Sequence, residues 1–262
     1  MLYWLLKTLV VGPIGRIFWR PWTKGAEHIP SSGAAILASN HLAVIDSIFL
    51  PLAVRRRRLT FPAKKEYFTG RGIKGRLIKA FVSGVGQVPI DRASGKAALS
   101  ALNALEQVLH DGGLVGYYPE GTRSPDGRLY RGKTGVARLA LATGAVVIPV
   151  VMVNTDKIQP IGRVIPKLRP RPGVVFGKPL DFSRYEGMSG DRFVERSMTD
   201  EIMYELMQLS GQEYVDVYAA KVKAELDRSR RSGPAAARNA AKSVSRQVDP
   251  EAADRKPAER AG

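Results

Sequence analysis

Histidine is scarce in this chain, three among 262 residues, and one of them, His41, lies in the apolar run S-N-H-L-A-V-I-D-S-I-F-L-P with an aspartate, Asp46, five positions on. An imidazole held by a carboxylate is a ready general base: the carboxylate fixes the ring tautomer through one nitrogen and leaves the other free to take a proton. Spacing decides whether the two groups can meet. Within one regular helix, positions five apart point about 140° away from each other. Residues 34–39 read as a strand and 46–52 as a helix, so His41 falls in the turn between them, where the ring can fold back over the first helical turn. The same residues also suit a plain role, with Asn40 or His41 as a cap and Asp46 complementing the helix dipole.

A second constellation is Y-Y-P-E-G-T-R-S, residues 117–124, again where an apolar strand ends. Pro119 closes the strand. Gly121 admits a left-handed backbone that can aim successive N–H groups outward, Thr122 adds a hydroxyl, and Arg123 offers a planar fork matching two phosphate oxygens. Such a loop suits a phosphate monoester, or else a surface turn with a solvated arginine. Glu120 would repel a phosphate, so its expected job is to orient Arg123 or accept from a substrate hydroxyl. In V-G-Q-V-P-I-D-R, Arg92 follows a strand as a second candidate phosphate ligand, with a surface pair to Asp91 as the alternative.

These side chains need a scaffold that brings strand ends together. The runs A-A-I-L-A-S, L-T-F-P-A, V-G-Q-V-P-I, L-V-G-Y-Y-P, A-V-V-I-P-V-V-M-V and V-V-F-G-K-P read as strands, several too uniformly apolar to have a wet face. Helical periodicity falls over 46–54, 71–81, 94–110, 132–143, 191–210 and 212–227. This alternation predicts an α/β domain, a largely parallel central sheet covered by helices on both faces. Ligands in such sheets collect at the carboxyl ends of the strands, which is where both constellations fall.

Composition bounds the partners. The formal charge of +17 and a pI near 10.3 call for an anionic partner: nucleic acid, an acidic membrane surface or a phosphorylated small molecule. With no cysteine there is no disulfide, thiolate metal site or cysteine nucleophile, and no metal site is expected. Residues 1–27 are read as an amphipathic helical segment, a single helix or two short ones split at Gly12-Pro13. Its Trp4, Phe18, Trp19 and Trp22 lie among Lys7, Arg16 and Arg20, which suits the headgroup plane of a membrane, although packing on the domain is the alternative. Lys7, Gly12, Pro13 and Arg16 break the apolar stretch, so a crossing of about twenty residues is not expected. The catalytic domain is placed at 28–227. Residues 228–262 carry nine basic and four acidic residues and no leucine, isoleucine or aromatic, which predicts a disordered basic tail.

Taken in order, N-H-x-x-x-x-D, the K-K-E segment at Lys64-Lys65-Glu66, G-Q-V-P-I-D-R, Y-P-E-G-T-R-S and V-I-P-V succeed one another at strand ends. This series closely resembles the glycerolipid acyltransferase family, in particular the bacterial 1-acylglycerol-3-phosphate acyltransferases. The motifs match over about residues 34–153, with weaker similarity to about 181. Tyrosine at 118, where phenylalanine is more usual before P-E-G-T-R, is a conservative departure. The resemblance implies that His41 deprotonates the acceptor hydroxyl as it attacks an acyl thioester and that Asp46 orients His41. It also implies that Arg92, Glu120, Gly121, Thr122 and Arg123 bind the glycerol phosphate. Lys64 and Lys65 are candidate donor or membrane contacts. Pro149, which interrupts a strand, is either core or a border of the acyl groove.

The implied partners are an anionic membrane surface, a lysophospholipid acceptor, and acyl-CoA or acyl carrier protein as donor, with no further cofactor. The implied location is the cytoplasmic face of the cell membrane, peripheral or monotopic. Between residues 55 and 79, ten basic residues accompany one acid, Glu66, a field that would draw lipid headgroups and the phosphates of coenzyme A. Another lysophospholipid or a glycolipid acceptor is the alternative within enzymes. A basic nucleic-acid-binding protein is the alternative of another class, disfavoured because no basic-aromatic array or binding motif is found. A catalytically silent lipid-binding protein is disfavoured by the intact His-Asp pair.

Overall fold

The computed structural model describes residues 2–64, 72, 75–76, 87–90 and 95–231. Lys65, Arg92, nearly all of the helix expected over 71–81 and the tail beyond Arg231 lie outside the described residues.

Among the described residues, seven strands form the central sheet. In spatial order they are β1 (Trp22–Lys24), β8 (Gly173–Phe176), β7 (Val146–Val153), β2 (Ala35–Ser39), β5 (Leu114–Tyr117), β3 (Leu59–Lys64) and β4 (Gln87–Ile90). Every neighbouring pair is parallel except β7 with β8. The uniformly apolar runs are explained by this order. β2 lies between β7 and β5 and all five of its residues are buried. Its side chains alternate between two apolar layers. Ile36 and Ala38 join residues of three helices, α4 (Gly95–His110), α5 (Gly135–Thr143) and α7 (Arg192–Ser210), on one face. Ala35 and Leu37 join α3 (Asp46–Ala53) on the other.

Pro149 does not interrupt its strand. β7 runs through it, because the missing N–H falls on the β8 side just where β8 has ended; the chain there is held by Gly177 N donating to Pro149 O at 2.8 Å. Pro149 is buried within the sheet, the core position that was one of its two readings. Lys64 closes β3 opposite Ile90.

The segment expected as a helix over 212–227 divides. Tyr214–Val215 (β9) pairs in parallel with Leu129–Tyr130 (β6), and the last helix, α8, is Ala219–Arg231. A separate small cluster of Tyr130, Val215, Ala219 and Val222 accounts for the change, since Tyr130 is fully buried there. The helix also carries on past residue 227, where the sequence reading ended the domain.

The amino terminus is helical across Gly12-Pro13: α1 (Leu2–Leu5), a π-helical stretch (Leu6–Val11) and α2 (Gly12–Phe18) follow without a gap. Proline lacks an N–H and crowds the preceding turn, and the helix widens to π geometry just before it. One side packs on the domain. Tyr3 is buried, Lys7 donates to the Val54 carbonyl, and a Cβ at Gly15 would lie 3.1 Å from Leu52. The other side leaves Leu5, Leu9, Val10, Ile14, Ile17 and Phe18 exposed. Three expectations change here. Lys7 points inward, Trp19 packs against Phe49 at 6.1 Å between ring centroids, and Trp22 begins the edge strand β1, so residues 1–27 include part of the sheet. Among the described residues, no helix is long and apolar enough to cross a membrane.

Candidate active site

β2 delivers Ser39, Asn40 and His41 to the carboxyl end of the sheet, and α3 begins at Asp46. The turn between them is closed by Asp46 itself. Its Oδ2 accepts from Leu42 N at 2.7 Å, Ala43 N at 2.8 Å and His41 Nδ1 at 2.9 Å. The two main-chain bonds set the turn, and the turn swings the ring back onto the carboxylate, the contact expected from the spacing. Asp46 is fully buried, while the His41 side chain keeps 17% of its surface exposed. Nδ1 donates to a carboxylate, so the proton sits there and Nε2 is the free lone pair. Tyr118 stacks on the imidazole, 3.9 Å between centroids and 11° between planes, which limits rotation of the ring. Burial, with the negative charge of Asp46 second, raises the Tyr118 phenol well above its ordinary pKa and keeps it neutral.

Asn40 is not a helix cap. It is buried at the strand end, where its Oδ1 accepts from Met152 N at 2.7 Å and its Nδ2 donates to Gln212 Oε1 at 2.7 Å. The side chain thus extends the β2–β7 ladder by one bond and ties it to the loop before β9.

The second constellation docks directly on the first. Ser124 N donates to His41 O at 2.7 Å, and Glu120 Oε1 accepts from His41 N at 3.1 Å. The other Glu120 oxygen accepts from Tyr130 N at 3.0 Å, and the residue is only 1% exposed. This corrects the role expected for Glu120. Both oxygens are engaged by main-chain amides, so it neither orients Arg123 nor reaches a substrate. Burial is the main reason its carboxyl is raised to about 8; the two amides pull the other way, and the charges of Asp46 and Asp126 add to the rise.

Gly121 takes the left-handed conformation, φ +69°, which a tight turn at this point requires. Its N–H is spent on Tyr118 O at 2.9 Å, not aimed outward. Among the described residues, the amides of Thr122 and Arg123 make no hydrogen bond and the half-buried Arg123 makes no ion pair, so these groups are available to an anion. Sequence reasoning missed Lys133. The turn after β6 brings its side chain over the loop, 3.3 Å from where a Gly121 Cβ would lie, and Lys133 N donates to Pro119 O at 2.8 Å. The only sequence signal was the short G-K-T-G run between Tyr130 and α5.

An acyltransferase family model, described as Acyltransferase, matches residues 21–153, just over half of the chain. A chloroplastic 1-acyl-sn-glycerol-3-phosphate acyltransferase of Arabidopsis thaliana is 33% identical over 146 residues, 55% of this chain and 39% of its own length. The enzyme of the same name from Borreliella burgdorferi is 26% identical over 140 residues, half of each chain. The chain therefore spans half or less of these two relatives. Among solved structures, the 1-acyl-sn-glycerophosphate acyltransferase PlsC of Thermotoga maritima shares the fold at a TM-score of 0.55 and 22% identity, over 76% of this chain and 78% of its own.

Proposed function

Because the chain belongs to the acyltransferase family, we propose that it transfers a fatty acyl group from a thioester donor to the free hydroxyl of 1-acylglycerol-3-phosphate, forming phosphatidic acid for phospholipid synthesis. The observation that carries this reading is the double joint between His41 and loop 120–124, one bond through Glu120 and one through Ser124. It holds His41 beside loop 120–124, where this reading calls for a base next to a phosphate cradle.

With Asp46 holding Nδ1–H, His41 Nε2 takes the proton of the acceptor hydroxyl as the hydroxyl oxygen attacks the thioester carbonyl. The tetrahedral intermediate expels the thiolate, which recovers that proton from the imidazolium, leaving an ester and a free thiol. No covalent acyl-enzyme is needed. Arg123, the amides of Thr122 and Arg123, and Lys133 receive the acceptor phosphate, with Arg92 as a further ligand. Acyl-CoA or acyl carrier protein brings the acyl group, with Lys64 and Lys65 as candidate contacts for it by their cationic charge. The long chains of substrate and product stay in a bilayer, so the protein works at the cytoplasmic face of the cell membrane, as a peripheral or monotopic protein held by an anionic surface.

The test is acyl transfer by the purified protein from acyl-CoA to a panel of lysolipids. Lysophosphatidic acid should be the preferred acceptor. Equal use of lysophosphatidylcholine would move the acceptor assignment elsewhere, and no transfer to any lysolipid from either donor would remove it.

A further inference from the structure

Residues 160–171, between helix α6 (Thr155–Ile158) and β8, have no regular structure, yet the loop is closed by its own polar groups. Lys167 N donates to Ile158 O at 2.8 Å, Arg163 N to Pro160 O at 3.0 Å and Arg163 Nε to Ile165 O at 2.8 Å. Its apolar side chains point the other way. Val164 is 85% and Ile165 75% exposed, and Leu168 and Ile161 are open as well. Single exposed hydrophobes are ordinary on protein surfaces; four in one closed loop call for a reason.

Two sets of contacts fix where the loop sits. On one side is Gln159, which is buried. Its Oε1 accepts from Ile45 N at 2.9 Å and its Nε2 donates to Val164 O at 3.2 Å, so the loop is joined to the residue before Asp46. On the other side, Trp19 Nε1 donates to Lys167 O at 2.7 Å and Arg171 Nε to Arg20 O at 2.9 Å. The loop thus bridges the His41–Asp46 turn and the end of α2, where Ile17 and Phe18 are also exposed.

Charge selects the occupant of this apolar face. Residues 160–171 contain Arg163, Lys167, Arg169 and Arg171 and no acid, and residues 1–24 add Lys7, Arg16, Arg20 and Lys24, again with no acid. Two copies of such a face would repel each other, whereas an anionic leaflet attracts the cations and accepts the apolar side chains. We propose that loop 160–171 is a bilayer-insertion element separate from the N-terminal helix, with Val164 and Ile165 entering the interface of an anionic leaflet and Gln159 holding the His41–Asp46 turn at the headgroup plane. The proposal rests on the acyltransferase reading for the lipid that is processed; insertion is measured without it.

The chain has no cysteine, so I165C can carry a single environment-sensitive fluorophore, with F193C, 89% exposed at the start of α7 beyond the opposite face of the sheet, as the control. On adding phosphatidylglycerol–phosphatidylcholine vesicles, the label at 165 should shift to the blue and brighten, and the label at 193 should not change. A protein that co-sediments with the vesicles while both labels stay unchanged would overturn the loop proposal and leave membrane attachment to the helix. Failure to co-sediment would overturn membrane attachment as well. A blue shift at 165 without vesicles that grows with protein concentration would give the face to a second copy instead. As a second variant, V164S/I165S should bind vesicles at least about tenfold more weakly. It should lose a similar factor in acylation of a vesicle-borne acceptor while retaining turnover of a short-chain soluble one, and loss on both acceptors alike would contradict insertion.

Discussion

Glu120 accepts the backbone N–H of His41 at 3.1 Å, so the acid of one motif positions the histidine of the other through the main chain. Its second oxygen does the same for Tyr130. Glutamine at 120 has one side-chain acceptor and would turn an NH2 toward the second donor. Above about pH 8, where Glu120 is ionised and both its oxygens accept, E120Q should therefore lower kcat roughly ten- to a hundredfold by misplacing the base, with acceptor KM little changed. Steady-state kinetics with lysophosphatidic acid decide this: a rise in KM at constant kcat would return Glu120 to the substrate.

The same residue sets a pH dependence of stability. Burial raises its carboxyl from 4.5 to about 8 in the fold. Between those values the folded chain keeps a proton that the unfolded chain has released, so this group makes the fold less stable as pH rises through the window. The slope corresponds to about 1.4 kcal/mol for each unit of the difference. Urea unfolding at about pH 5 and about pH 8 should show a steeper loss in the wild type than in E120Q; parallel slopes would mean that the carboxyl titrates normally.

Arg123 is half-buried and without an ion pair among the described residues, so its fork remains open to a phosphate. Arg123→Lys keeps the charge and loses the two-pronged geometry. Acceptor use should weaken by about 1.5 to 3 kcal/mol, with donor affinity much less affected. Lys133→Ala should act on the same parameter, and the two effects should fall short of additive because one phosphate is shared. Equal losses for donor and acceptor would indicate a collapsed loop.

Removing the N-terminal helix would also remove Tyr3, Lys7 and Trp19 from packing and hydrogen bonds, so deletion confounds anchoring with folding. The outward residues separate the two. Leu9, Ile14 and Ile17, 69%, 46% and 69% exposed, can be changed together to serine. Vesicle co-sedimentation should drop at least about tenfold, while thermal unfolding stays within the small range expected of surface changes. Unchanged binding would remove the helix as an anchor.

The six runs read as strands all form strands, several of them uniformly apolar because a largely parallel sheet covered on both faces leaves no polar side to blur the pattern. The turn between β2 and α3 was legible for a different reason, since a spacing of five positions between His41 and Asp46 allows contact only outside a regular helix. What the sequence hid was set by long-range contacts. β6 and β9 are two residues each, too short for any periodicity, and exist because they pair with each other. Glu120 read as a substrate group because nothing local reveals that the amides of His41 and Tyr130 would converge on it. Gln159 and Gln212 carried no signal for the same reason: each acts on a segment far away in the chain.

The most direct measurement is single-turnover acyl transfer from acyl-CoA to lysophosphatidic acid by His41→Ala beside Asp46→Asn, each checked for folding and for acceptor binding. Asparagine at 46 can turn its amide nitrogen toward Nδ1 and hold the wrong tautomer, so both variants should lose the chemical step. His41→Ala should fall roughly a hundred- to ten-thousandfold with acceptor binding preserved. A folded His41→Ala protein that transfers acyl groups at near wild-type rate would contradict the assignment of His41 as the base.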